Sequence, residues 1–254
     1  MPTAICTLPY YPVRSEPRQG SEMVSMLLWG ELFQVHENHK NWYKIECLHD
    51  NYIGWISLRK LYTVDDDFLK AYTSESSIFV SSKPSYAIFD DDKYLISPGS
   101  RLPMYKDSSF KLLDKTYHLR GMAEGIRPIS SIIDTAKFYL GTPYLWGGRS
   151  LFGIDCSGFT QVVFGMHGIP LMRDAWQQAE NGIKVDNIAD AKAGDLAFFA
   201  ENGHKISHVG ILTGDGHIIH ASYSVRIDRM DGEEIFNLEI QEHTLPVKII
   251  KRYF

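Results

Sequence analysis

Residues 141–160 read "GTPYLWGGRSLFGIDCSGFT", five glycines and a proline arranged around a single cysteine, Cys156. The run is too irregular for an ordinary strand or helix until the cysteine itself. From there "CSGFTQVVFGMHG" (156–168) predicts a helix, closed by Gly168 and Pro170. Asp155 is a residue type favoured at a helix N-cap, and Gly153 and Gly158 permit a tight entry with close packing. A thiol is a useful nucleophile only as the thiolate. The start of a helix directs unpaired amide N–H groups and a positive dipole end at the sulfur, and a nearby imidazolium would add to the effect. Both features are expected to lower the pKa of Cys156. A cysteine at a helix start is more often simply packed, so the reading depends on a base.

Ten histidines are available. His208 opens the strand-like "HVGIL" (208–212) and His220 closes "HIIH" within "HIIHAS" (217–222). If these strands pair as a hairpin around "TGDG" (213–216), the start of one lies beside the end of the other. Both rings then share one sheet end, His208 facing the sulfur and His220 orienting it, since a third group must fix the tautomer and angle of a base. His204, His217 and His243 read as surface or strand-edge residues, and His36, His39 and His49 as residues of solvated loops. Cys6 and Cys47 read as small core residues, and Cys47 with His49 lacks the spaced partners of a zinc site. Neither metal nor cofactor is expected.

Around this centre, "RPISSIIDTAKFYLG" (127–141) and "RDAWQQAENG" (173–182) predict helices ended by Gly141 and Gly182. "GDLAFFA" (194–200), the two histidine strands and "PVKIIKRYF" (246–254) follow as strands, with Asp195 setting a turn. Helices followed by a meander of strands is an α+β arrangement. With "TPYLWGGRSLFGIDCSGF", "GDLAFF", "HVGIL" and "HIIHAS" in this order and spacing, residues 128–254 resemble the NlpC-type family of papain-like cysteine peptidases. The resemblance implies Cys156 as nucleophile, His208 as general base, His220 as the orienting third member and Tyr144 as an oxyanion-stabilising candidate. It implies hydrolysis of the γ-D-glutamyl bond to a diamino acid in peptidoglycan stem peptides.

Family members that join SH3-like domains to this peptidase and carry Arg-Asp, as in "RDAWQQ", cleave peptides with a free N-terminal L-alanine. Asp174 would supply the charge that a buried ammonium needs. The same resemblance implies that the first barrel closes the pocket, with Glu22 and Tyr52 facing the amine. Trp146 would be a wall, and Asp155 and Ser157 would hold the peptide's amino end. Each has a plainer reading. Asp174 can cap the helix that follows it, Glu22 can be a solvated acid, Tyr52 barrel core and Trp146 packing.

Residues 1–64 read as all-β. "GELFQVHE" (30–37), "WYKIEC" (42–47), a turn at "HDN" (49–51) and "YIGWISLRKL" (52–61) suggest a small barrel resembling bacterial SH3-like domains. Residues 65–127 read as a second, degenerate barrel or linker domain, with "DDD" at 65–67 and 90–92 as solvated turns. The peptidase domain spans 128–254. The expected class is therefore α+β, SH3-like small β-barrels followed by a papain-like peptidase.

The 254 residues are 44% hydrophobic and 22% charged, an ordinary globular composition. A net charge of −5 offers no case for nucleic acid, and no apolar run is long enough to span a membrane. The start "MPTAICTLPYYPVRSEP" lacks the character of a signal peptide. A cytoplasmic monomer acting on peptidoglycan-derived peptides is expected, or a periplasmic or secreted one if a leader has been removed. Hydrolysis of intact wall, a catalytically silent wall-binding module and acyl chemistry on another substrate are the competing functions.

Overall fold

The computed structural model describes residues 1–74, 78–81, 83–200 and 205–254; His204 lies outside them. The chain divides into two compact units. One comprises Met1–Ile126 with Trp146–Phe152, the other Arg127–Leu145 with Gly153–Phe254.

In the first unit six strands, β1 (Thr3–Ile5), β2 (Tyr10–Arg14), β3 (Met23–Leu28), β4 (Leu32–His39), β5 (Trp42–Cys47) and β6 (Ile53–Ser57), form a sheet of order β1-β4-β5-β6-β2-β3. The alternation expected from "GELFQVHE" and "WYKIEC" is met in part: Phe33, Val35, Ile45 and Cys47 are buried together with Val13 and Ile56. Each such side chain contributes roughly 1.5–3 kcal/mol on burial. Cys6 and Cys47 are reduced core residues.

Helix α1 (Asp66–Ser74) occupies the first "DDD", where a turn was expected. Asp65 Oδ1 accepts the Phe68 N–H at 2.8 Å, and Asp66 and Asp67 lie in the first turn, where acids complement the helix dipole. The second "DDD" does turn, with Asp90 at a φ of 51°. The strands β7 (Phe79–Val80), β8 (Ser85–Phe89), β9 (Asp92–Ile96), β10 (Ser109–Leu112), β11 (Lys115–Arg120) and β12 (Ala123–Glu124) make a sheet β10-β11-β8-β9 and a pair β12-β7. Trp29, Phe110, Tyr117 and Leu119 pack together there.

The segment Trp146–Phe152 is tied into this unit, and its strand β13 (Arg149–Ser150) packs on β3. Arg149 donates to both oxygens of Glu31, at 2.8 and 3.0 Å, and to the Met26 carbonyl at 2.7 Å. Gly147 has a φ of 78°, and a Cβ there would lie 2.4 Å from the Met23 carbonyl oxygen. His49, expected in a solvated loop, is instead largely buried between carboxylates, 3.8 Å from Glu31 and 3.3 Å from Asp50. The first carboxylate also pairs with Arg149, so a tertiary charge cluster, not the local turn, decides its environment.

The second unit begins with a 3-10 turn (Ile129–Ser131) and α2 (Ile132–Lys137), and Gly141 is left-handed at a φ of 80°. After β14 (Gly153–Ile154) come α3 (Cys156–Gly165) and α4 (Ala175–Ala179). The strands β15 (Ile183–Val185), β16 (Leu196–Phe199), β17 (His208–Leu212), β18 (His217–Ser222), β19 (Ser224–Asp231), β20 (Glu234–Asn237) and β21 (Glu242–Arg252) form one sheet, β15-β21-β16-β17-β18-β19-β20. The long β21 pairs with β16 through its C-terminal half and with β20 through its N-terminal half, so the sheet closes on itself. Its Phe199, Leu212, Ile218 and Ile235 are buried in one cluster, and α3 packs on β17 and β18.

Candidate active site

Cys156 is the first residue of α3, and every residue of that helix from Cys156 to Phe164 is buried. Asp155 is its N-cap, its Oδ1 accepting the Gly158 N–H at 2.7 Å. Arg173 then clamps the cap. Its Nη1 lies 3.0 Å from Asp155 Oδ1 and 3.0 Å from Ser157 Oγ, and its Nη2 lies 2.5 Å from Asp155 Oδ2. Asp155 and Ser157 thus belong to a buried ion-paired cluster at the start of α3. The Arg-Asp signature names Arg173 only as the neighbour of Asp174 and assigns it no role of its own. Its neighbour Asp174 forms a capping box with Gln177 at the start of α4, the plainer of its two readings; Gln177 Oε1 accepts the Asp174 N–H at 3.0 Å.

The histidines meet as the hairpin predicts. In the β17–β18 register Gly210 is opposite His220, so positions 208, 210 and 220 project from one face. A Cβ on Gly210 would fall 2.6 Å from Ile218 Cδ1 and 2.9 Å from His220 Cβ, so the glycine provides the space in which His220 stands. His208 Nε2 and His220 Nδ1 are 2.7 Å apart. The sulfur of Cys156 points at the start of the same strand, 3.9 Å from the carbonyl oxygen of Ser207.

A fourth group, missed in the sequence, completes the line. Asp228 on β19 is fully buried, with Oδ2 3.0 Å from His220 Nε2. Arg226 sits beside it, Nε 3.0 Å from Oδ2 and Nη2 3.1 Å from Oδ1, and the Leu238 N–H donates to Oδ1 at 3.0 Å. The signal available in the sequence was the "RID" alternation of a strand following "HIIHAS", which puts Arg226 and Asp228 on one face.

Tyr144 is held by its backbone. Its N–H donates to the Tyr223 carbonyl at 2.8 Å, and the flanking residues Pro143 and Leu145 bond to Ile154 just before the cap. Burial, reinforced by the negative charge that Cys156 and Asp155 can carry, raises the phenol pKa, so the hydroxyl stays a donor. Glu22, Tyr52 and Trp146 belong to the other unit. There Trp146 Nε1 donates to Glu22 Oε1 at 2.7 Å, and Tyr52 packs against the core of the first sheet.

The electrostatics correct one expectation. Burial first, and the Asp155 carboxylate second, push the Cys156 thiol up to about 12, against the opposing backbone N–H of Val209 and the charge of Arg173. Burial, with His220 beside it, pushes His208 well below its ordinary value. The resting pair is therefore a neutral thiol and a neutral imidazole, because loss of hydration outweighs the helix N-terminus. Such a pair can pass a proton from sulfur to nitrogen as sulfur attacks a carbonyl.

A family model described as the NlpC/P60 family matches residues 141–242, and one described as a bacterial dipeptidyl-peptidase Sh3 domain matches residues 13–61. A Bacillus cereus protein named gamma-D-glutamyl-L-lysine dipeptidyl-peptidase is 30% identical over 236 residues, 82% of this chain and 69% of its own. A Bacillus subtilis protein of the same name is 50% identical over 92 residues, 35% of this chain and 31% of that one. The crystal structure of an NlpC/P60 family protein from Bacillus cereus has a TM-score of 0.80 at 24% identity, covering 99% of both chains, a likeness of fold.

Proposed function

The chain belongs to the NlpC/P60 family as a cysteine peptidase, and from that premise we propose that it hydrolyses the γ-D-glutamyl–diamino acid bond of cell-wall stem peptides that begin with a free L-alanine, releasing L-Ala-γ-D-Glu. The observation that carries the reading is the sulfur at the tip of α3, 3.9 Å from the carbonyl oxygen of Ser207, the residue before His208, whose ring in turn lies 2.7 Å from that of His220. The names of the two bacilli's proteins, each a γ-D-glutamyl-L-lysine dipeptidyl-peptidase, support the bond and the dipeptide product.

In this mechanism Cys156 Sγ attacks the γ-carbonyl carbon of D-glutamate while its proton passes to His208. The oxyanion is met by the backbone N–H of Cys156 and the Tyr144 hydroxyl. His208 returns the proton to the departing amine of the diamino acid, the C–N bond breaks and a thioester remains. Water, deprotonated by His208, then hydrolyses the thioester and frees the dipeptide. Asp174 pairs with the substrate ammonium. A carboxylate has about four acceptor sites, so capping α4 and binding a cation are compatible.

The test is product analysis with L-Ala-γ-D-Glu-L-Lys. Wild-type protein should yield L-Ala-γ-D-Glu and lysine, Cys156→Ala should yield neither, and N-acetylation of the substrate should lower turnover at least tenfold. Turnover retained by Cys156→Ala removes the mechanism. Equal rates on free and acetylated peptides remove the requirement for the amine.

A further inference from the structure

We propose that Asp228 is a positioning residue whose carboxylate, acting through His220, fixes the tautomers of both imidazoles and leaves the Nδ1 lone pair of His208 as the acceptor for the Cys156 proton. The inference rests on the reading of Cys156 and His208 as nucleophile and base.

Donors and acceptors alternate along a line from Asp228 to His208. Asp228 is fully buried and receives the Arg226 guanidinium and the Leu238 N–H. Arg226 is anchored in turn, donating to Asn237 Oδ1 at 3.0 Å and to Glu239 Oε2 at 2.6 Å. Burial works to raise the Asp228 pKa, but the His220 hydrogen bond, the Leu238 N–H and the neighbouring charges together bring it below its ordinary value. A carboxylate so held can only accept. His220 Nε2, 3.0 Å away, therefore carries the hydrogen. With His220 in its neutral form the ring has one N–H, so its Nδ1 is bare and accepts across the 2.7 Å contact. His208 Nε2 then donates, and the nitrogen of His208 left bare is Nδ1.

The charged groups around Cys156 and the two rings agree with this assignment. From α3 and the Arg173 segment come Asp155 and Arg173, which satisfy each other. From β19 come Arg226 and Asp228, already paired. Once His208 takes the sulfur's proton its cationic ring still donates through Nε2, and the Asp228 charge lies one ring away to stabilise it. No bond has to be remade during the transfer.

Asp228→Asn is the diagnostic change because it preserves shape. With Arg226 directed at the amide oxygen, the amide NH2 faces His220 Nε2, which must then accept. Each hydrogen in the line reverses, and His208 Nδ1 carries a hydrogen where a base is needed. By analogy with the same tautomer error in Ser-His-Asp triads, kcat should fall on the order of 10³-fold or more with KM changed by about threefold or less. Alkylation of Cys156 by iodoacetamide, followed from pH 5 to 10, should slow at neutral pH and shift its midpoint upward. Long-range 1H–15N correlation spectra of the wild-type histidines need no variant, and should show both His208 and His220 protonated at Nε2. The inference is overturned if His208 carries its hydrogen at Nδ1 in the wild-type protein. It is also overturned if Asp228→Asn keeps the wild-type kcat and alkylation profile. The spectra and the alkylation use no peptide, so tautomers as expected without cleavage of the tripeptide would sink the substrate assignment alone.

Discussion

Replacing Arg173 with methionine keeps most of the side-chain volume and removes the charge. Arg173 is only 1% exposed, and its two terminal nitrogens make three contacts with Asp155 and Ser157. In the variant Asp155 is left at 5% exposure with the Gly158 N–H at 2.7 Å and the Ser157 hydroxyl at 3.3 Å. Removing one partner of a buried ion pair costs about 3–5 kcal/mol, because the remaining charge has lost both water and its counterion. For a protein of this size each kcal/mol is about 2–4 °C, so the melting transition of the C-terminal unit should fall by about 6–20 °C. Thermal unfolding by circular dichroism at pH 7 measures it. Adding Asp155→Asn removes the charge that Arg173 had balanced, so the double variant should regain about 1–3 kcal/mol over Arg173→Met alone. Arg173 also lowers the thiol pKa while Asp155 raises it, so Arg173→Met should alkylate more slowly at pH 8 and Asp155→Asn faster. A loss under about 1 kcal/mol, or a double variant that is merely additive, would show that the pair is not the support of the α3 cap.

Gly210→Ala puts a methyl group 2.6 Å from Ile218 and 2.9 Å from His220, which overpacking prices at about 1–3 kcal/mol. It should lower kcat at least tenfold by turning the His220 ring, and unchanged turnover would refute the close approach. The pH dependence of stability follows from His208, which folds neutral with its pKa well below 6.5. The unfolded chain takes up that proton first. The contribution is therefore complete above about pH 6.5 and is lost as pH falls from there toward the folded pKa, at up to about 1.4 kcal/mol per pH unit. Urea unfolding at pH 5 and 7 should show a smaller difference for His208→Gln than for wild type. On the alkaline side Cys156 has the opposite sign: its raised pKa gives stability that is present below about pH 9 and lost toward about 12, a limb Cys156→Ala should diminish. Glu31→Gln removes the carboxylate that accepts two hydrogen bonds from the buried Arg149 guanidinium and should cost the N-terminal unit about 3 kcal/mol in denaturant unfolding.

The parts of the site legible in the sequence are those set by short-range geometry. "TGDG" between two apolar runs predicts a hairpin, the hairpin fixes a register, and the register brings residues 208 and 220 together. Asp155 beside a helix start is similarly local. Asp228 is not, since "SVRIDRMD" reads as a strand with charges on it and says nothing about which face is buried. That face is decided by β19 lying between β18 and β20 in a sheet that closes through β21, a tertiary fact. The pairing of Arg173 with Asp155 was hidden for the same reason, the two lying eighteen positions apart with no helical or strand spacing to link them. Trp146–Phe152 shows the reverse case: it is adjacent in sequence to Cys156, yet Arg149, Trp146 and Gly147 are bound into the N-terminal unit.

The thiol pKa shows why magnitudes decide where motifs do not. A helix N-terminus stabilises a neighbouring anion by about 0.3–1 kcal/mol, and by about 2 kcal/mol in favourable sites. The rise of Cys156 from 9.0 to about 12 corresponds to about 4 kcal/mol against the thiolate, so burial beside Asp155 exceeds the dipole even at its best. The helix tip and the burial have different consequences for a reaction. In the proposed mechanism the tip places the Cys156 amide where an oxyanion would form, while burial keeps sulfur protonated until a carbonyl is there to attack. The energy that makes the nucleophile must then come from the acceptor. That is where a line of hydrogen bonds ending on an ionised carboxylate matters: it lets His208 become cationic in a place where, on its own, it would stay neutral.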